Sequence, residues 1–169
     1  MTIDTGRLLL IPLPPRQLRL WVQDMEALEK ELACTYLAEP LEGFFLDIVR
    51  GQVEITEKDP DNYLWHSFWL LMRKEDRVIV GSADFKDIPS VSGEVEIGYG
   101  LGAAFLHNGY MTEAVMAMCS WALGQKGVKA VIAETDLDGY ASQRILGRCG
   151  FKELSRGETL WWRLPAEGK

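Results

Sequence analysis

The chain has 169 residues, 47% hydrophobic and 25% charged, a size and balance at which a single core forms without disulfide or metal staples. Its net charge of −7 argues against nucleic acid as the main partner, because phosphate backbones recruit basic surfaces. Cys34, Cys119 and Cys149 are scattered and odd in number, His66 and His107 are the whole histidine complement, and no apolar run reaches membrane-spanning length, which sets aside a disulfide framework, a multi-histidine metal site and a membrane span.

Residues 7–13 read as a short strand stopped by Pro12, Pro14 and Pro15. Residues 17–33 read as one helix, with Leu20, Trp21, Met25, Leu28 and Leu32 at three- and four-residue steps. A loop at Pro40 and Gly43 precedes a second helix over 44–58. Residues 63–72, rich in aromatic side chains, read as a buried strand carrying His66 as a satisfied core histidine. Two further strands, 78–85 and 94–99, flank a polar Pro/Ser/Gly loop. Helical spacing returns after Gly109 with Met111, Val115, Met118 and Ala122, and again with Ala141, Ile145, Leu146 and Cys149. A short strand over 128–134 lies between these helices, and a hairpin over 151–154 and 159–164 closes the chain. The order β-αα-βββ-α-β-α-ββ predicts a mixed α/β (α+β) layer in one domain spanning 1–169.

The stretch from Gly98 to Ala114 carries the chemistry. It reads as a strand passing through a glycine-marked turn into a helix, where unpaired N–H groups and the positive end of the helix dipole seat a phosphate. Gly98, Gly100 and Ala103 formally satisfy a dinucleotide fingerprint, but the helix starts near Gly109. Glu134, the first acidic residue ending the next strand, lies far beyond the expected spacing of about 20 residues.

Gly109, Tyr110, Thr112, Glu113 and Ala114 match a different pattern. The stretch resembles the acyl-CoA loop (Gln/Arg-x-x-Gly-x-Gly/Ala) of the GCN5-related N-acetyltransferases, and looks most like the branch that acetylates ribosomal-protein N-termini. Thr5-x-Arg7-Leu-x-Leu, Ile79-Val-Gly-Ser-Ala83, Glu96-Ile-Gly-Tyr-Gly-Leu101 and Ala141-Ser-Gln-Arg-Ile-Leu-Gly-Arg-Cys-Gly-Phe151 resemble further segments of that branch, in the same order. Leu106, His107, Met111 and Gly139 depart from its pattern; Met111 adds bulk where the family has a small residue.

The resemblance implies the acyl-CoA N-acyltransferase fold, a mixed, mostly antiparallel sheet flanked by helices. It implies direct attack of an amine on the acetyl-CoA thioester without a covalent enzyme intermediate. His107, Asn108, Gly109, Tyr110, Met111 and Thr112 would cradle the pyrophosphate, and Tyr99, Gly100 and Leu101 would pair with the pantetheine arm at a splayed strand end. Ser142 matches the branch's donor to the departing thiolate, and Glu96 is the leading candidate base, with Glu94 and Glu134 nearby. Trp69, Trp161 and Trp162 are candidates for the acceptor pocket, while Arg144 and Arg148 read as a solvated helical face. The implied partners are acetyl-CoA as co-substrate and an amine acceptor, either a small molecule or a protein N-terminus. No metal, nucleic acid or membrane is implied, a homodimer is left open, and the start of the chain, lacking an apolar leader, predicts a cytoplasmic protein. A non-catalytic CoA-binding sensor module and a dinucleotide-dependent oxidoreductase stand as rival functions.

Overall fold

The proline-bounded run near the N-terminus forms β2 (Leu8–Pro12), and alternation along the next long strand divides the protein into two cores. In the computed structural model, which describes residues 1–167, that strand is β4 (Phe68–Arg73), antiparallel to β2. Positions 168 and 169, the end of the 1–169 span, lie outside the described residues. Trp69 and Leu71 point into one core and Phe68, Leu70 and Met72 into the other, the period of two that a doubly covered strand requires.

The first core is closed by α5 (Tyr110–Leu123) and α6 (Tyr140–Arg148), which bury Val115, Met118, Ala122 and Leu146. The second is closed by α1 (Pro15–Gln23), α2 (Met25–Leu32) and α3 (Gly43–Lys58), through Leu18, Trp21, Leu28, Val49 and Val53. Between them the sheet continues through β5 (Val78–Phe85), β6 (Glu94–Leu101), β7 (Ala130–Asp136), β9 (Thr159–Pro165) and β8 (Lys152–Arg156) in that spatial order. Short strands β1 (Ile3–Asp4) and β3 (Thr35–Tyr36), with no sequence signal of their own, pair with β2 and β5. The β6–β7 pair is the only parallel pairing between the long strands described. The rest are antiparallel, as the resemblance implied.

Two sequence expectations are corrected. The single helix over 17–33 is broken at Asp24. Its N–H closes α1 on the Leu20 carbonyl, while its carboxylate accepts from Ala27 N–H at 3.1 Å and caps α2. Apolar spacing carried across the break because both helices cover the same core. The strand over 63–72 begins only at Phe68. Residues 60–62 form a 3-10 turn and Tyr63–His66 one helical turn, α4. The Asp59 carboxylate, accepting from Asn62 at 3.0 Å and meeting His66 Nε2 at 2.9 Å, stabilises that coil over the aromatic β-preference. His66 is buried, but on α4 rather than in a strand.

The loop before α5 is tied down from the far end of the sequence. The Thr5 hydroxyl donates to Glu113 Oε2 at 2.5 Å, the Arg7 N–H donates to the same oxygen at 2.7 Å, and Arg7 Nε donates to Oε1 at 2.9 Å. Arg7 also donates to the Asn108 carbonyl at 2.8 Å and lies over the Tyr110 ring, 4.4 Å from its centroid. Burial alone would raise the Glu113 carboxyl, but the bonds from Thr5 and Arg7, with the Arg7 charge, hold it below the ordinary glutamate range. A depressed carboxyl stabilises the fold above the unfolded-state value and loses that contribution as pH falls through the folded one. Glu113→Gln is therefore expected to cost about 1–3 kcal/mol at neutral pH. In urea titrations its deficit against wild type should shrink below about pH 4. A deficit constant from pH 7 to pH 3 would refute the clamp.

Candidate active site

β6 and β7 pair only at Glu94–Ala130, Val95–Val131 and Glu96–Ile132. Beyond this, β6 stays bound to β5 out to Leu101–Gly81, and β7 stays bound to β9 out to Asp136–Thr159. The two strands therefore diverge with their facing edges unpaired, a V in the middle of an otherwise continuous sheet. The splayed end expected at Tyr99, Gly100 and Leu101 lies on one arm of it.

The mouth of the V meets the turn into α5. Gly109 precedes the helix at φ +78°, a left-handed conformation that glycine adopts without strain. His107 adopts φ +67°, the same conformation at a steric cost, which accounts physically for a glycine in the family pattern at this position. Among the described residues, no acceptor meets the N–H groups from His107 to Thr112, and the first backbone bond in this stretch is Glu113 N–H to Gly109 O. The loop carbonyls, by contrast, are engaged: Asn108 Nδ2 donates to Phe105 and Leu106. Met111 is only 4% exposed, packed in the first core, yet it also lines the cleft beside the loop.

A cleft of about 330 Å³ runs from Leu101 across Leu106, His107, Gly109 and Thr112 to α6, where Arg144 and Arg148 line its far wall. Among the described residues neither arginine is paired with a carboxylate. Both are exposed, as a solvated helical face requires, and both also border the cleft. Unpartnered backbone donors, a helix N-terminus and these cations are groups that attract phosphate, gathered here in an acidic protein.

Ser142 lies on the first turn of α6, and its hydroxyl makes no helix cap. It meets the Tyr99 hydroxyl at 2.6 Å, joining α6 to β6. Burial pushes the Tyr99 phenol up to about 12, with the Ser142 bond opposing it, so the phenol is protonated at neutral pH. The Tyr99 side chain was not anticipated; sequence reasoning assigned that residue through its backbone only.

Glu96 is half-buried on β6. Burial raises its carboxyl, the Lys86 charge pulls it back, and Glu134 and Asp84 push it up further. Glu94 is paired with Arg163 at 3.1 Å, and Glu134 accepts from the Thr159 hydroxyl at 2.6 Å, which leaves Glu96 the least committed of the candidate bases. Trp69 is fully buried against Phe85 and Trp121, and Trp162 donates to the Thr135 hydroxyl; neither lines a pocket beside β6.

On the opposite face, a pocket of about 170 Å³ adjoins Tyr99 and Gly100, lined by Glu39, Phe45, Ile48, Phe68, Ser82, Asp84 and Lys86. Asp84 and Ser82 escaped the sequence reading. Their signal was present: a carboxylate and a hydroxyl at alternate positions inside the apolar run 78–85. Gly98 and Gly100, read formally as a nucleotide fingerprint, lie inside β6 rather than at a helix start, which removes the basis of the oxidoreductase reading. A Cβ at Gly98 would sit 2.6 Å from Lys86 Nζ and 3.0 Å from Asp84 Oδ1, so glycine lets these groups pack against the strand.

The comparisons agree with this geometry. A family model described as "Acetyltransferase (GNAT) domain" matches residues 7–152. The Bacillus subtilis (strain 168) protein named "Uncharacterized N-acetyltransferase YjdG" is 31% identical over 129 residues, covering 76% of each chain. Among solved structures, the fold is similar to that of RimL, a ribosomal L7/L12 alpha-N-protein acetyltransferase in complex with coenzyme A, with a TM-score of 0.70, 13% identity and 100% of each chain covered. It is similar also to a ribosomal-protein-S5-alanine acetyltransferase from Vibrio fischeri, with a TM-score of 0.72, 13% identity, and 99% of this chain and 98% of that one covered. The chain belongs to the GCN5-related N-acetyltransferase family and is an acetyl-CoA-dependent N-acetyltransferase.

Proposed function

We propose that this chain, as one catalytic domain, moves the acetyl group of acetyl-CoA to a primary amine by direct attack, with no acetyl-enzyme intermediate. The observation that carries the reading is the meeting of free backbone donors before α5 with the unpaired edge of β6. The diphosphate bridge lies on the N–H groups from His107 to Thr112, and Arg144 and Arg148 face its phosphates. The pantetheine arm continues the sheet as a surrogate strand along Tyr99, Gly100 and Leu101, which brings the thioester to the apex of the V.

At the apex, Glu96 takes a proton from the acceptor's ammonium, the free amine attacks the carbonyl carbon, and the carbon–sulfur bond breaks as the nitrogen releases its second proton to solvent, leaving the neutral amide. The departing thiolate takes a proton from the Ser142 hydroxyl, which draws one in turn from the Tyr99 phenol 2.6 Å away. A phenol with a raised pKa is an unwilling acid alone. A developing serine alkoxide beside it is a stronger base still, so that second transfer is downhill, while the net transfer from phenol to thiolate is uphill and is completed by solvent returning a proton to Tyr99.

Binding is tested by thermal shift with acetyl-CoA, CoA, NAD and NADP: stabilisation by the first two alone is expected. Chemistry is tested by thiol release over amines and N-terminal peptides. Ser142→Ala should lower kcat about 10²-fold with acetyl-CoA affinity unchanged. Unaltered turnover would refute the donor. Glu96→Gln should remove the acidic limb of the rate profile, because a base works only above its own pKa and burial has raised this one. Replacing Arg144 and Arg148 together by Gln should weaken acetyl-CoA about tenfold and flatten the salt dependence of binding. Identical salt slopes would return both arginines to the solvated face.

A further inference from the structure

The pocket of about 170 Å³ beside Tyr99 and Gly100 contains polar groups that the mechanism does not use. Asp84 is 4% exposed and Ser82 5% exposed, two residues apart on β5 and lining the same cavity. Among the described residues the Ser82 hydroxyl makes no hydrogen bond. The Asp84 carboxylate has one partner, an ion pair with Lys86 Nζ at 3.6 Å, which opposes the upward push of burial on it. A hydroxyl and a carboxylate whose one partner is a lysine, both facing the same cavity, leave acceptor capacity for a donor-rich ligand.

The charge balance points the same way. Lys86 is shared between Asp84 and Glu96, and Glu39 stands at the rim, so the pocket carries an excess of negative charge. The remaining wall is apolar: Phe45 and Ile48 from α3, and Phe68 from β4. A cavity of about 150 Å³ holds benzene, so this one takes an end-group of comparable size rather than a whole large molecule. A protein N-terminus sets a peptide carbonyl two bonds from its nitrogen, and the wall of Phe45, Ile48 and Phe68 offers that carbonyl no donor. An unbranched alkylammonium has no such group.

Resting on the acetyl-transfer reading, we infer that this pocket seats the acceptor as an unbranched primary alkylammonium, its charged end on Asp84 and Ser82 and its carbons against Phe45, Ile48 and Phe68. The same chemistry is offered by a free aliphatic amine and by a lysine side chain. Gly100, at the pocket edge, belongs also to the strand proposed to carry the pantetheine arm, so the seated nitrogen lies beside the path of the thioester.

The experiment is a calorimetric titration of the full chain with n-butylamine at neutral pH against 1-butanol, its neutral isostere, with and without CoA. Wild type should prefer the ammonium. Asp84→Asn should reduce that preference at least about tenfold, and Ser82→Ala should reduce it less. CoA affinity should stay within about twofold of wild type in both variants, which also certifies that they fold. Nα-acetyl-lysine amide and a peptide beginning with alanine then separate the sources: preference for butylamine marks a free amine, and preference for the lysine derivative marks a side chain. Equal binding of butylamine and butanol by wild type, an Asp84→Asn protein with unchanged preference, or tightest binding of the alanine peptide would each overturn the inference. CoA titrated alone reports on the acetyl-transfer reading separately, since the ammonium-to-alcohol ratio is measurable without it.

Discussion

The constraint on which the site depends is the short parallel register between β6 and β7. Three paired positions hold the strands together at one end, and each is then drawn away by its outer neighbour, β6 by β5 and β7 by β9. Neither strand can turn to satisfy the facing edge without breaking antiparallel pairing on its other side. The unpaired groups inside the V are thus a consequence of pairing elsewhere. A buried sheet tolerates such an edge only where something else meets it, whether a ligand strand, water or a helix terminus.

The second requirement is that donors at the mouth of the V keep their positions while unbonded. Loops without internal bonds are ordinarily mobile, but this one is fastened through its carbonyl side. Asn108 bonds back to Phe105 and Leu106, Arg7 holds the Asn108 carbonyl, and Glu113 anchors the first turn of α5 to Thr5 and Arg7. Every fastening uses an acceptor of the loop and leaves its N–H groups outward. The sequence elements Thr5-x-Arg7 and Thr112-Glu113-Ala114, matched separately as family signatures, turn out to be two halves of one ion-pair clamp.

What the sequence disclosed follows the range of the interactions involved. The α5 turn, the strands at 78–85 and 94–99 and the Ser142 helix were legible, because each rests on local spacing, glycine placement or a contiguous motif. The break at Asp24 was hidden by apolar spacing that serves one core across two helices. The coil at 60–66 was hidden by aromatic residues whose strand preference lost to the carboxylate of Asp59. The Tyr99–Ser142 contact and the pairing of Ser82 with Asp84 in one pocket were beyond reach for another reason. The first depends on which helix packs on which strand; for the second, alternation puts both residues on one face of β5 but does not say that α3 and β4 leave a cavity over them. Even so, a carboxylate inside an apolar strand marked Asp84 as a residue needing an explanation.

The sheet also sorts charge. On one face the strand end of β6 meets backbone N–H groups, a helix N-terminus, Arg144 and Arg148; on the other it meets Asp84, Glu96 and Glu39 around a single lysine. That sorting would draw an anionic donor and a cationic acceptor to opposite sides of the same few residues and repel each from the other's proposed site. Low dielectric between the faces strengthens both preferences over what exposed charges would give. The side chains of Gly98 and Gly100 are the ones missing from that partition, so the two ligands approach through the thinnest part of the protein. Overall acidity and the proposed phosphate site are not in conflict: on that proposal the negative charge suits the amine, and dipoles and a local pair of cations, rather than net charge, hold the phosphates.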